Sequence, residues 1–202
     1  MDNPLLLESI RLIDGEFPLL PFHQERVDRS FKKFFPKASP PKLRMLLEQR
    51  GYPDLGLYKV RVLYQLDNAS VEAQLYTPKE VNSLRIVAAE SVKYPQKLAN
   101  REAINTLFDL RNGCDDILMT QHGFITDTSY ANIALFDGRK WITPAWPLLR
   151  GTRRAKLIQE GLICPSVIRV KDLEHFQEIR LFNAMLPWET APRLAVSSII
   201  RD

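Results

Sequence analysis

Apolar residues in this chain alternate with polar ones in some stretches and recur every three or four positions in others, and the two periods predict strands and helices respectively. Glu8-Ser9-Ile10-Arg11-Leu12-Ile13-Asp14-Gly15 reads as a strand running into an Asp-Gly turn. From Phe22 to Phe35, Val27, Phe31, Phe34 and Phe35 share one helical face, and Pro36 ends the helix. Ser39-Pro40-Pro41 opens a second helix through Leu43, Leu46 and Leu47, closed by Gly51. Tyr58, Val60, Val62, Tyr64 and Leu66 alternate with more polar residues as a strand with one buried face. Asp67-Asn68-Ala69-Ser70 turns that strand back into a partner from Val71 to Tyr76.

The polar stretch from Thr77 to Ser83 reads as a linker, which divides the chain into a small lobe over residues 1–79 and a larger one over residues 80–202. The second half opens with an apolar strand from Leu84 to Ala89 and a helix from Leu98 to Arg111, stopped near Gly113. Further strands are predicted at 116–120, 124–126, 132–136, 140–143, 166–170 and 179–182, with a helix from Thr152 to Glu160. Strand pairs dominate and helices pack on them, so the class is α+β in two lobes.

Composition is that of an ordinary globular protein, and no apolar run is long enough to span a membrane. The stretch from Met1 to Glu8 has no basic region before its leucines, so no signal peptide is expected. Cys114 and Cys164 match no metal or redox spacing, and they are read as free thiols of a cytoplasmic protein with no metal site. The net charge is +4 and the pI about 9.1. Its densest basic cluster is Arg150, Arg153, Arg154 and Lys156. With no zinc-finger spacing and no aromatic-basic RNA motif, a small anionic ligand accounts for that cluster, and neither nucleic acid nor membrane is expected as a partner.

Lys97 lies between the strand 84–89 and the helix that follows, with Pro95 biasing the chain before it towards extended or turn geometry. A lysine held there by rigid elements can be desolvated enough to serve as an amine nucleophile. Lys97-Leu98-Ala99-Asn100-Arg101 resembles the K-x-x-N-R turn of the class IV aminotransferases, fold-type IV enzymes that use pyridoxal 5′-phosphate (PLP), and is most similar to that of the 4-amino-4-deoxychorismate lyases.

The resemblance implies a two-lobe architecture like that of D-amino-acid aminotransferase, with Lys97 as the catalytic lysine carrying PLP as a Schiff base. It extends to four more segments. His23-Gln24-Glu25-Arg26 matches an H-x-x-R motif whose arginine binds the phosphate, which implies that role for Arg26, while His23 is structural. Gly123-Phe124-Ile125-Thr126-Asp127-Thr128-Ser129-Tyr130-Ala131-Asn132 matches G-x-[IV]-[ST]-E-x-x-x-x-N, with Asp127 where the family has Glu to pair with the pyridine nitrogen. Asp is one methylene shorter, so the backbone must approach or the ring must shift.

Leu149-Arg150-Gly151-Thr152-Arg153-Arg154 resembles L-x-G-[IV]-T-R, which implies that Leu149 packs on the ring and that Thr152 and Arg153 cradle the phosphate, with Arg153 replacing a threonine. Phe182-Asn183-Ala184-Met185-Leu186-Pro187 resembles the N-A-L-M-P segment of the lyases, which places Asn183 on the phosphate side. The implied function is a homodimeric PLP-dependent lyase of folate biosynthesis that takes a small amine/carboxylate substrate to 4-aminobenzoate and pyruvate. The alternatives are an aminotransferase of D- or branched-chain amino acids, or a non-catalytic PLP-binding relative. Relatives carry an earlier strand and a longer C-terminal segment, both of which can contribute to the substrate pocket.

Overall fold

A computed structural model describes residues 3–201; Met1, Asp2 and Asp202 lie outside the described residues, and with them the first two positions of the stretch read for a signal peptide. The chain divides into two compact units, one of residues 1–78 with 96–100, the other of residues 79–95 with 101–202.

The first unit is a three-stranded antiparallel sheet with two helices. It runs β1 (Leu6–Ile13), α1 (Leu20–Phe34), α2 (Leu43–Glu48), β2 (Leu57–Tyr64) and β3 (Ala69–Leu75), in sheet order β1-β2-β3. Leu6, Ile10 and Leu12 of β1 share a face, and they pack with Val60, Val62 and Tyr64 of β2 and with Val27, Phe31 and Phe35. Pro21, in the first turn of α1, needs no backbone donor there. The second helix is shorter than its sequence pattern suggests. Residues before a proline are pushed out of helical geometry, and α2 starts only at Leu43, whose N–H donates to the Gln24 side chain of α1 (2.8 Å).

Residues 98–100 depart from the sequence reading twice. They lie outside the helix, which starts only at Glu102, with Leu98 in an isolated bridge to Leu6, and they pack with the first unit rather than the second. Both departures have one cause. The Lys97 carbonyl accepts from Leu7 N (2.9 Å) and Ala99 N donates to the Leu5 carbonyl (2.8 Å), so the backbone groups a helix would use are spent on the edge of β1.

The second unit comprises β4 (Leu84–Ala88), α3 (Glu102–Phe108), β5 (Asp116–Gln121), β6 (Phe124–Thr128), β7 (Asn132–Phe136), β8 (Trp141–Pro144), α4 (Thr152–Gln159), β9 (Cys164–Ser166), β10 (Glu178–Phe182), β11 (Arg193–Ala195) and β12 (Ile199–Ile200). They form two sheets, ordered β12-β4-β5-β6 and β11-β10-β7-β8-β9. Leu84, Leu118 and Ile125 of the first sheet share a core with Ile133, Leu135, Ile179 and Leu181 of the second. Of the strand expected at 166–170 only Ser166 lies in a strand, at the end of β9, because the Asp172 carboxylate accepts Arg169 N (2.9 Å) and opens a 3-10 turn over Val170–His175. The strands β11 and β12, three and two residues long, carry too little alternation to be read from sequence.

The β5–β6 connection positions the site. His122 and Gly123 both have positive φ (50° and 75°), as a two-residue hairpin turn of the primed type requires. Past the turn the register slips between Leu118 and Thr120, a bulge of the kind that re-aims side chains. Asp127 lies beyond it, near the end of β6.

Candidate active site

Each unit holds part of the residue set that the sequence motifs single out. In the first, β1 places Glu8 on the same face as Leu6, Ile10 and Leu12, inside the core. Arg26 of α1 donates from Nε to Glu8 Oε1 (2.8 Å) and from Nη2 to Oε2, and His23 Nδ1 donates to Oε2 (2.6 Å). Burial alone would raise the Glu8 pKa, but the Arg26 charge and the hydrogen bonds from His23 and Arg26 outweigh it and hold it at about 2. Burial lowers the His23 pKa against the pull of Glu8, and the charges of Arg26 and Lys97 lower it further, so His23 is neutral and Lys97 lies within its electrostatic reach. The fork of Arg26 is thereby fixed in one plane.

In the second unit the network is continuous. Asp127 is 5% exposed. Its Oδ1 accepts from Asn132 Nδ2 (2.6 Å) and its Oδ2 from Leu149 N (2.9 Å). Asn132 Nδ2 also donates to the Leu149 carbonyl (2.9 Å), so the loop after β8 is tied to β6 and β7 at one residue. Gly151 follows directly. A Cβ there would come within 2.0 Å of Asn132 Oδ1, so only glycine permits this approach. Gly151 is the N-cap of α4, and the Thr152 hydroxyl beside it is buried with no hydrogen-bond partner among the described residues. Arg153 Nε reaches the Asn183 carbonyl (3.5 Å). The Asn183 side chain accepts Met185 N and Leu186 N (2.8 and 3.0 Å) and donates to the Tyr130 carbonyl (3.1 Å), in the turn between β6 and β7. The structure thus joins Asp127, Leu149, Thr152, Arg153 and Asn183 in the second unit, while Arg26 and Lys97 belong to the first.

The family model for amino-transferase class IV matches residues 5–190. The chain belongs to the class IV aminotransferase family. These are PLP-dependent enzymes, and PLP is the cofactor of this class IV chain too. A curated protein of Haemophilus influenzae, itself uncharacterized, is 32% identical over 182 residues, covering 89% of this chain and 97% of that one. A crystal structure from Haemophilus somnus, provisionally named 4-amino-4-deoxychorismate lyase, is 31% identical with a TM-score of 0.87, covering 93% of this chain and 99% of that one. An aminotransferase from Mycobacterium tuberculosis, described as hypothetical and solved with PLP bound, shares the fold at a TM-score of 0.77 and 17% identity, covering 98% of this chain and 84% of that one.

The class IV site fits its cofactor on the structure's own terms. Burial raises the Asp127 pKa to about 6, against the lowering by Leu149 N, Asn132 and Arg154. A carboxylate buried at that cost is suited to a cation, and a protonated pyridine nitrogen is one. The orphan Thr152 hydroxyl and the N–H groups opening α4 suit a phosphate. Two residues escaped the sequence reading as contributors. Glu8 is an acid at a core-facing strand position, a signal open to period analysis. Arg154 falls on the terminal arginine of L-x-G-[IV]-T-R, a position given no role in the sequence reading, and it is buried.

Proposed function

We propose that the chain is a PLP-dependent lyase that acts on 4-amino-4-deoxychorismate, releasing pyruvate and leaving 4-aminobenzoate, a step in folate synthesis. The observation that carries this reading is the turn Asn183-Ala184-Met185-Leu186-Pro187, which matches the lyase segment and folds around the Asn183 side chain against the turn beside Asp127. The similarity to the Haemophilus somnus protein supports it.

Bound PLP supplies an electron sink conjugated with the substrate's amine. In this reading Lys97 Nζ would hold the cofactor, and its amine, once free, would take and return a proton as base and acid. The Asp127 carboxylate would keep the ring nitrogen protonated. Arg26, Thr152, Arg153 and the N–H groups of α4 would hold the phosphate, with Leu149 against the ring and Asn183 on the phosphate side. Glu8 orients Arg26. We expect a homodimer, which light scattering on purified protein checks.

The test is 4-aminobenzoate formation by purified protein supplied with PLP and substrate, alongside a panel of D- and branched-chain amino acids. Borohydride reduction of the PLP-loaded protein and peptide mapping are expected to place the pyridoxyl group on Lys97, and Lys97→Ala to abolish product. A pyridoxyl group on Lys93 alone defeats the Lys97 assignment. Transamination of the panel without 4-aminobenzoate defeats the lyase reading.

A further inference from the structure

Arg154, the third residue of α4, is only 8% exposed. Its Nη2 donates to the Pro144 carbonyl (2.8 Å) and its Nε to Thr143 Oγ1 (3.3 Å), both at the end of β8. The loop that starts there ends at Leu149, whose N–H and carbonyl are held by Asp127 and Asn132. One side chain therefore anchors the start of the loop and two anchor its end. The Arg154 Cβ lies 3.9 Å from the position a Cβ on Gly151 would take, in the same cluster.

Neither acceptor of Arg154 carries a charge, and burying a guanidinium is unfavourable unless a charge compensates it. Asp127 is the anion that raises the Arg154 pKa against burial, and the Arg154 charge in turn lowers the Asp127 pKa, while Arg150 works against Arg154. The other groups facing Asp127 are neutral: the Leu148 and Leu149 N–H groups from the loop and the Asn132 amide from β7. On β5, the neighbouring strand, Asp116 turns to Ile117 N (2.8 Å) and Ser129 N (3.3 Å) instead.

We infer that Arg154 is a positioning residue for the cofactor site: it anchors the start of the 144–149 loop, whose far end presents the Leu149 N–H to the Asp127 carboxylate, and it adds a buried positive charge behind the hydrogen bonds that hold that carboxylate. Its catalytic meaning rests on Asp127 being the partner of the pyridine nitrogen. Where the family's longer Glu is replaced by Asp, the loop that presents Leu149 N to the carboxylate and the cation behind it fix a shorter side chain in the ionised form.

The test follows the Asp127 carboxyl by 13C NMR in PLP-free protein, with Asp127→Asn giving the assignment. The wild-type midpoint is expected near 6. Arg154→Met is expected to raise it, and Arg154→Lys, which keeps the charge, to recover most of that shift. Arg154→Gln still offers an N–H to Pro144, so it separates charge from anchoring: it should shift the midpoint as Met does. An unchanged midpoint in the Met and Gln variants overturns the inference. Should both fail to fold, Arg154→Lys carries the test: it keeps the charge, so its midpoint is expected near the wild-type value, and a midpoint raised by a full unit overturns the inference. Because the titration needs no PLP, wild-type protein unable to take up PLP would defeat the lyase reading and leave this test intact.

Discussion

Two buried carboxylates set opposite pH dependences. Asp127 titrates at about 6 in the folded protein against an ordinary 3.8, so the folded state binds its proton more tightly than the unfolded state does. The stability this lends is fully present below pH ~4 and is lost as pH rises through about 6, a loss on the order of 3 kcal/mol for a shift of this size. PLP-free protein is expected to weaken over that interval by urea unfolding, and Asp127→Asn to flatten the slope. In the PLP-loaded enzyme the same substitution should retain the cofactor while lowering turnover by roughly 100-fold, since an amide cannot balance the pyridinium charge. Undiminished turnover would remove Asp127 from the chemistry. Glu8 behaves inversely. Its pKa falls from 4.5 to about 2, so its contribution is present above pH ~4.5 and lost as pH falls towards about 2. Glu8→Gln leaves the Arg26 guanidinium short of a buried counter-charge and is expected to cost ~3 kcal/mol at pH 7, read as a lowered Tm. A change under ~0.5 kcal/mol would show that Arg26 re-solvates at no cost.

At the scale of elements, the approach of the α4 N-terminus to β7 depends on one missing side chain. Gly151→Ala would drive a methyl into Asn132 Oδ1, and that amide cannot swing away without releasing Asp127 and the Leu149 carbonyl. We expect a stability loss of about 1–3 kcal/mol from overpacking and a larger proportional loss of PLP affinity, measured by denaturation and by absorbance titration. Wild-type affinity in this variant would mean the helix can shift without cost. The elements themselves were largely legible in the sequence. The helical face of Val27, Phe31, Phe34 and Phe35 and the alternation from Tyr58 to Tyr64 both bury an apolar side, which is what a periodic pattern reports. The segment after Pro95 was not. Leu98, Ile104, Leu107 and Phe108 can be fitted to one helical period, but a hydrophobic pattern says nothing about whether β1 offers backbone partners to Lys97 and Ala99.

At the scale of the whole molecule, the chain passes from the first unit to the second at residues 78 and 79, and residues 96–100 return to the first. Residues 77–80 are exposed. Limited trypsin digestion is expected to cut after Lys79 early, and the two pieces to stay together under native conditions, because residues 97–99 of the second piece pair with β1 of the first. Separation of the pieces on native size exclusion would show that this pairing is too weak to hold them. No helix among the described residues is long and apolar enough to cross a membrane. The sequence by itself determined the α+β class, most of the strands and helices, the family, and the identity of the residues its motifs single out, because periodicity and short motifs are properties of neighbours along the chain. The tertiary structure alone decided that Glu8 pairs with Arg26 and His23, that Gly151 meets Asn132, and that Arg154 is buried behind the loop that ends on Asp127. Those contacts join residues between 10 and 22 positions apart, on different elements, and their energetics come from desolvation and charge in a shared interior, which no local pattern encodes.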